Sequence, residues 1–191
     1  PANQLRECNI EVVANRKNIG TNLQDHPSIM IEYERKTRSV FQENLRFDRL
    51  FLNMVRAQLF KSGPATHPLG FGTGFVKSRP ELSLPDIQLF FRLFSVQSRE
   101  WFPLIREPGP TGIGLLACHL RPEARGTVSL ASSNPNDAPR IINNFLASDM
   151  DRQAIRQAFK IKRSIVAQPA FAEHIGAEMM PGKDVQSDDE I

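Results

Sequence analysis

The sequence predicts an α+β fold, a mainly antiparallel β-sheet with helices packed on one face. Three observations carry that expectation. From Gly70 to Leu130 the pattern is β throughout, with no helix between the strands. A long amphipathic helix, Ser148 to about Ala167, follows those strands instead of alternating with them. No glycine-rich loop leads from a strand into a helix, as a doubly wound dinucleotide-binding domain requires. The nearest stretch, Gly70-Phe71-Gly72-Thr73-Gly74, is β-like and lacks the third glycine at the right offset.

A short helical stretch from Asn3 to Cys8 opens the chain, and Ile10-Glu11-Val12-Val13 reads as a strand. Asn18 and Gly20 suit a turn. Ser28 to Glu34 alternates, with Ile29, Ile31 and Tyr33 on one side, as in a half-buried strand. Residues 47–60 place Phe47, Leu50, Phe51, Met54, Val55 and Leu59 at helical spacing, ended by Ser62-Gly63-Pro64. Such a face is core or a membrane-surface anchor, and core is the commoner use. Glycines in the strand after Gly70 mark a bulge or a close approach of backbone or ligand. Ile87 to Phe94 reads as a further strand. Ile113 to Leu120 and Thr127 to Leu130 form two more around the turn Arg121-Pro122-Glu123-Ala124-Arg125-Gly126. Residues 132–137 are a loop by composition, Pro139 to Asn144 is extended, and Ser148 caps the long helix, which Gln168-Pro169 ends.

The chain has 191 residues, 24 basic and 21 acidic, a net charge of +3, and 40% hydrophobic residues. That suffices for one core and argues against a disordered chain. No basic run alternates with aromatics, so nucleic acid is not expected as a partner. No apolar run approaches the roughly 18 residues that span a bilayer. Cys8 and Cys118 make no disulfide framework, and a reducing cytoplasm is the simplest location. His26, His67, His119 and His174 lie too far apart for a local metal motif, so no metal is expected. Cys118 and His119, adjacent on a strand, point to opposite faces and cannot act together; core Cys and surface His is the expectation. Asp25-His26 is a carboxylate orienting a base, or a turn residue bonding backbone. Ser187-Asp188-Asp189-Glu190 has the capping-box pattern that opens a helix, or is a polar tail. Composition and spacing alone reveal no self-contained active site.

The segment Asn18-Ile19-Gly20-Thr21-Asn22-Leu23-Gln24-Asp25-His26-Pro27 resembles the Gly-x-Asn-Leu-Gln-Asp-His segment of the glucose–methanol–choline (GMC) oxidoreductases. Gly74 to Arg79, Pro85 to Phe91, Arg121 to Val128, Asn134 to Ile141 and Gln168-Pro169-Ala170 resemble later segments of that family, in the family's order. Ala124 stands where the Pro-x-Ser-Arg-Gly-x-Val turn has serine. The resemblance implies the substrate-binding part of an FAD-dependent enzyme that oxidises alcohols, hydride passing to the flavin. Residues 1–27 would then be the end of the FAD-domain or lid region, and 28–191 the substrate-binding domain. The phosphate-binding loop would precede Pro1 and the catalytic His follow Ile191, leaving no catalytic residue here and no activity in this chain alone.

On the same basis Asn22, Asp25 and His26 would touch the flavin, and Phe71, Phe90 and Phe91 the substrate, although one of Phe90 and Phe91 must face the helices. Phe71 stands where choline-specific relatives carry an acid, which implies an apolar or aromatic alcohol; the alternative is that all three phenylalanines are core. Implied partners are a small alcohol and the FAD-binding portion of the same polypeptide, and an exposed apolar sheet face would favour self-association. The competing reading is a stand-alone binding module for a small apolar ligand or a protein partner.

Overall fold

A computed structural model describes residues 1–37, 39–66 and 71–191. Five strands, all antiparallel to their neighbours, make the main sheet: β1 (Ser28–Arg35), β2 (Phe71–Val76), β3 (Ile87–Arg92), β4 (Gly112–His119) and β7 (Ile175–Met180). Their order is β2-β3-β4-β1-β7, so β4 is the central strand. A two-stranded ribbon of β5 (Thr127–Ser129) and β6 (Arg140–Ile142) stands beside it. Helices α1 (Ala2–Glu7), α2 (Val40–Asn44), α3 (Phe47–Phe60) and α4 (Asp149–Val166) complete the chain. The predicted α+β class is the one observed.

Helix α4 forms where its spacing requires. Ala154, Ile155, Ala158, Phe159, Lys162 and Val166 are buried along one stripe. Ser148 caps the start, its hydroxyl accepting the Met150 N–H at 3.1 Å, and Asp149 and Asp151 lie in the first turn, where the helix dipole favours carboxylates. The stripe packs on alternate residues of the sheet: Ile31 and Tyr33 from β1, Leu89 from β3, and Ile113, Leu115 and Ala117 from β4. The last strand is tied to this layer by polar contacts. Glu178 of β7 takes two hydrogen bonds from Arg163 of α4, at 2.9 and 2.7 Å, and one from the Tyr33 hydroxyl at 3.0 Å. Burial and the Glu178 charge push the Tyr33 hydroxyl up to about 12.

The structure departs from several expectations. Residues 10–13 form no strand, and Val13 is 94% exposed, because no neighbouring strand offers this segment a ladder. Helix α3 exists as predicted but has no buried residue; Phe47, Phe51, Leu52, Met54, Leu59 and Phe60 are exposed, so its apolar face is not core among the described residues. Helix α2 and strand β7 went unread. The first has only five residues, capped by Ser39. The second buries a single residue, Ile175, and is held by the polar contacts of Glu178. At the C-terminal end Glu190 accepts the N–H groups of Gln186 and Ser187 at 2.9 and 2.8 Å, which is the reciprocal half of a capping box.

Candidate functional site

Antiparallel register sorts each strand into two faces. On the packed face Phe91 lies opposite Leu115, and its ring stacks on Phe171 with 5.9 Å between centroids. On the other, open face, Met30, Leu116, Phe90 and Thr73 form one row across β1, β4, β3 and β2. Phe90 and Phe91 are thus separated by the thickness of the sheet. Phe71 is directly opposite Arg92 in register; its side chain lies outside the described residues, as does Gly70. The row beyond Phe90 is Glu32, Gly114 and Arg92. Glu32 is buried, and its carboxylate accepts the Val96 N–H at 3.1 Å beneath the loop after β3.

The second region is an edge built from two sequence segments. Leu23 and Gly126 exchange both backbone hydrogen bonds, at 3.0 and 2.8 Å, and Val128 donates to the carbonyl of Gly20 at 2.8 Å. The Gln24 amide donates to the Pro122 carbonyl at 3.2 Å. Both glycines are required by contact. A Cβ on Gly126 would sit 2.1 Å from the Ile142 carbonyl oxygen, and one on Gly20, at φ +79°, would sit 2.3 Å from that of Val128. The residues from Gly20 to His26 are thereby clamped onto the Arg121–Gly126 turn. Asn22 (φ 59°), Asp25 and His26 are exposed along this edge. Asp25 accepts the backbone N–H of His26 at 2.8 Å, which is the turn-forming use of that carboxylate. The structure brings Asn22, Asp25 and His26 together and keeps Phe90 on a different surface from Phe91.

A buried polar cluster underlies the edge. Asp151, fully buried in the first turn of α4, accepts the N–H groups of Glu123 and Ala124 at 2.8 and 2.9 Å. Asp86 accepts the backbone and hydroxyl of Ser78 at 2.7 and 2.6 Å. Between the two carboxylates lies His119, 3.6 Å from Asp151 and 3.9 Å from Asp86. Burial holds the imidazole below its ordinary pKa, against the opposing pull of both carboxylates. This corrects the expectation of a core Cys118 and a surface His119: the histidine is 2% exposed and Cys118 is half-buried on the open face. Odd-numbered residues of β4 face α4, and sequence alone did not reveal the two carboxylates that make a buried imidazole tolerable there. Among the described residues no three His, Cys, Asp or Glu side chains form a group that could hold a metal ion, and no helix is long and apolar enough to cross a membrane.

Lys162 is the other ionisable group that the sequence did not single out. Its ammonium is buried between sheet and helix and donates to the carbonyls of Ile29 and Leu115 at 2.7 and 3.4 Å. Burial pushes its pKa down to about 7. The unfolded chain therefore holds this proton up to the ordinary lysine range while the folded chain has released it, so folding gains stability as pH rises between the two values. Relative to Lys162→Met, the wild-type protein is expected to gain up to about 1.4 kcal/mol per pH unit from pH 7 to 9, read as urea midpoints at each pH. A difference that stays constant with pH would show a lysine that remains charged in the fold.

An antiparallel sheet backed by one long helix, with a mixed apolar and charged open face and a clamped polar edge, defines an α+β domain. Residues 122–191 match the family model described as GMC oxidoreductase. Over 98% of its length the chain is 32% identical to an oxygen-dependent choline dehydrogenase of Chromohalobacter salexigens, of which it covers 33%. Over its whole length it is 33% identical to the mitochondrial choline dehydrogenase of Mus musculus, of which it covers 31%. Among solved structures, a formate oxidase of Aspergillus oryzae RIB40 matches with a TM-score of 0.80 at 21% identity, covering 100% of this chain and 37% of that one. A pyridoxine 4-oxidase matches with a TM-score of 0.70 at 18% identity, covering all of this chain and 33% of that one. The chain is similar to GMC oxidoreductases and spans about a third of the length of the curated relatives it matches.

Proposed function

We propose that this chain supplies the substrate-binding side of an FAD-dependent enzyme that oxidises alcohols. The observation that carries the reading is the open sheet face, where Phe90, Leu116 and Met30 lie in one half-buried row instead of in the core. A sheet needs one face for its core; an apolar row left on the other suits a small organic ligand. A bound flavin would accept the hydride from the alcohol carbon, and this chain's part is to hold and orient the alcohol. Residues 28–191 are the substrate-binding domain and residues 1–27 the flavin-side segment. Asn22, Asp25 and His26 fit a flavin contact because all three are exposed on one edge whose backbone is fixed by the Leu23–Gly126 pairing.

The enzyme prefers an apolar or aromatic alcohol over choline. Relatives at about a third identity are named choline dehydrogenases, but by the resemblance of its glycine-rich strand Phe71 would stand where choline-specific relatives carry an acid, and Phe90 and Phe91 add aromatic residues on the neighbouring strand. Phe91, stacked on Phe171, contributes through the floor of the sheet and not through its open surface. The open sheet face meets the flavin-binding part of the longer polypeptide, and its exposed apolar residues favour self-association when that part is absent. Both cysteines are free thiols, as a reducing cytoplasm would keep them.

Flavin fluorescence titration of the purified chain tests this division of roles. No tight binding is expected, because the chain has no glycine-rich phosphate loop. Tight FAD binding by residues 1–191 would place the principal flavin contacts in this chain and overturn the division.

A further inference from the structure

Arg92 has a place in the fold that its surroundings do not explain. It ends β3 on the open face, two residues from Phe90 and on the same side of the strand. Its guanidinium lies 4.8 Å from the centroid of the Phe94 ring, and its one contact as a donor is to the Met30 thioether, at 3.9 Å. A guanidinium has five N–H donors, and a thioether is a weak acceptor. Among the described residues no carboxylate pairs with it. Glu32 shares its row but is two strands away across Gly114, buried and bonded to the Val96 N–H. Arg92 is only half-buried, so water can reach it, yet its base rests against Phe94 and Met30 and its charge borders the Phe90 row.

We propose that Arg92 is a specificity-determining residue that selects aromatic alcohols carrying a carboxylate, the aromatic body resting on Phe90, Leu116 and Met30 and the carboxylate engaging the guanidinium. The assignment rests on the functional reading above and narrows its substrate class. A planar guanidinium matches a carboxylate with two parallel hydrogen bonds, which an ammonium cannot do. Contact with the Phe94 ring, whose centroid lies 4.8 Å from the guanidinium carbon, limits the freedom of the fork before the ligand arrives. The same charge repels a quaternary ammonium, and Phe71, directly across the ladder from Arg92, introduces no acid to attract one. A fixed cation on the ligand face thus does two things at once: it attracts one class of alcohol and rejects another.

The test uses the full-length flavoenzyme that contains this chain, assayed for flavin reduction and steady-state turnover with benzyl alcohol, 4-(hydroxymethyl)benzoate and choline. The expected ranking in kcat/KM is 4-(hydroxymethyl)benzoate, then benzyl alcohol, then choline. In Arg92→Leu the ratio of the first to the second is expected to fall about tenfold or more, mainly through KM, and in Arg92→Lys by less. Flavin content and unfolding midpoint, measured on each variant, report folding separately from selectivity. Turnover of benzyl alcohol with a ratio that Arg92→Leu leaves unmoved would overturn the assignment of Arg92 alone. Failure of every alcohol to reduce the flavin in the wild-type enzyme would overturn the functional reading and the assignment with it.

Discussion

Asp151→Ala is expected to destabilise the protein by about 3–4 kcal/mol, measured as the loss in unfolding free energy by urea titration at pH 7. Asp151 is fully buried, so its carboxylate does not bond freely to water in the fold. It accepts two N–H groups of the turn at Glu123 and Ala124, at 2.8 and 2.9 Å. Hydrogen bonds to a charged acceptor contribute about 1.5–3 kcal/mol each, and removing the acceptor leaves both donors to whatever water can enter. Asp151→Asn, which keeps the shape and one acceptor oxygen, is expected to lose about half as much. Equal losses for the alanine and asparagine variants would show that the charge, and not the number of acceptors, holds the turn.

The same substitution alters the response to acid. Burial already depresses the pKa of His119, and the Asp151 carboxylate at 3.6 Å pulls it back up. Without that carboxylate the depression deepens. A histidine whose folded pKa lies below its unfolded value leaves the unfolded chain holding more protons, so stability falls as pH drops from the ordinary histidine value towards the folded one. Asp151→Ala therefore extends this window to lower pH, and its deficit against wild type widens on going from pH 7 to pH 5.

How much of this was legible in the sequence depends on the range over which the signal acts. Helix α4 and strands β1, β3 and β4 were readable because periodicity is local: a stripe from Ala154 to Val166 and an alternation such as Ile29, Ile31, Tyr33 each report their own burial. Strand β7 was not, because one buried Ile175 and a Glu178 bound to Arg163 and Tyr33 produce no alternating pattern. Residues 10–13 show the converse failure, apolar and β-branched yet without a partner strand. For the site, alternation dictated that Phe90 and Phe91 part company, and only the position of α4 and Phe171 decides which of them is packed. His119 was misjudged for a similar reason. Whether a histidine can be buried depends on Asp86 and Asp151, which lie far from it in sequence and meet it only in the fold.

Gly126→Ala carries the largest expected loss, about 4 kcal/mol or more, because the obstruction is backbone. The new methyl would lie 2.1 Å from the Ile142 carbonyl oxygen and 2.9 Å from that of Asn143, and no rotation of a flexible side chain could relieve either contact. Nor can Gly126 retreat, since its own N–H and C=O are both bonded to Leu23. One of the two pairings has to give. If Ile142 moves, the β5–β6 ribbon opens, because Ile142 is the register partner of Thr127; if Leu23 moves, the segment carrying Asn22, Asp25 and His26 is released from the turn. Gly74→Ala is the matched control: a Cβ there meets nothing within 4 Å, and a change within about 1 kcal/mol is expected. Differential scanning calorimetry of the two variants separates a steric requirement from a general intolerance of added methyl groups. In the full-length enzyme the flavin-to-protein ratio separates the two routes of relief, since only displacement of Leu23 disturbs the edge assigned to the flavin. A Gly126→Ala protein that unfolds with the wild-type midpoint would mean that the clamp between the two sequence segments is loose, and that Asn22, Asp25 and His26 are not held in a fixed arrangement for any ligand.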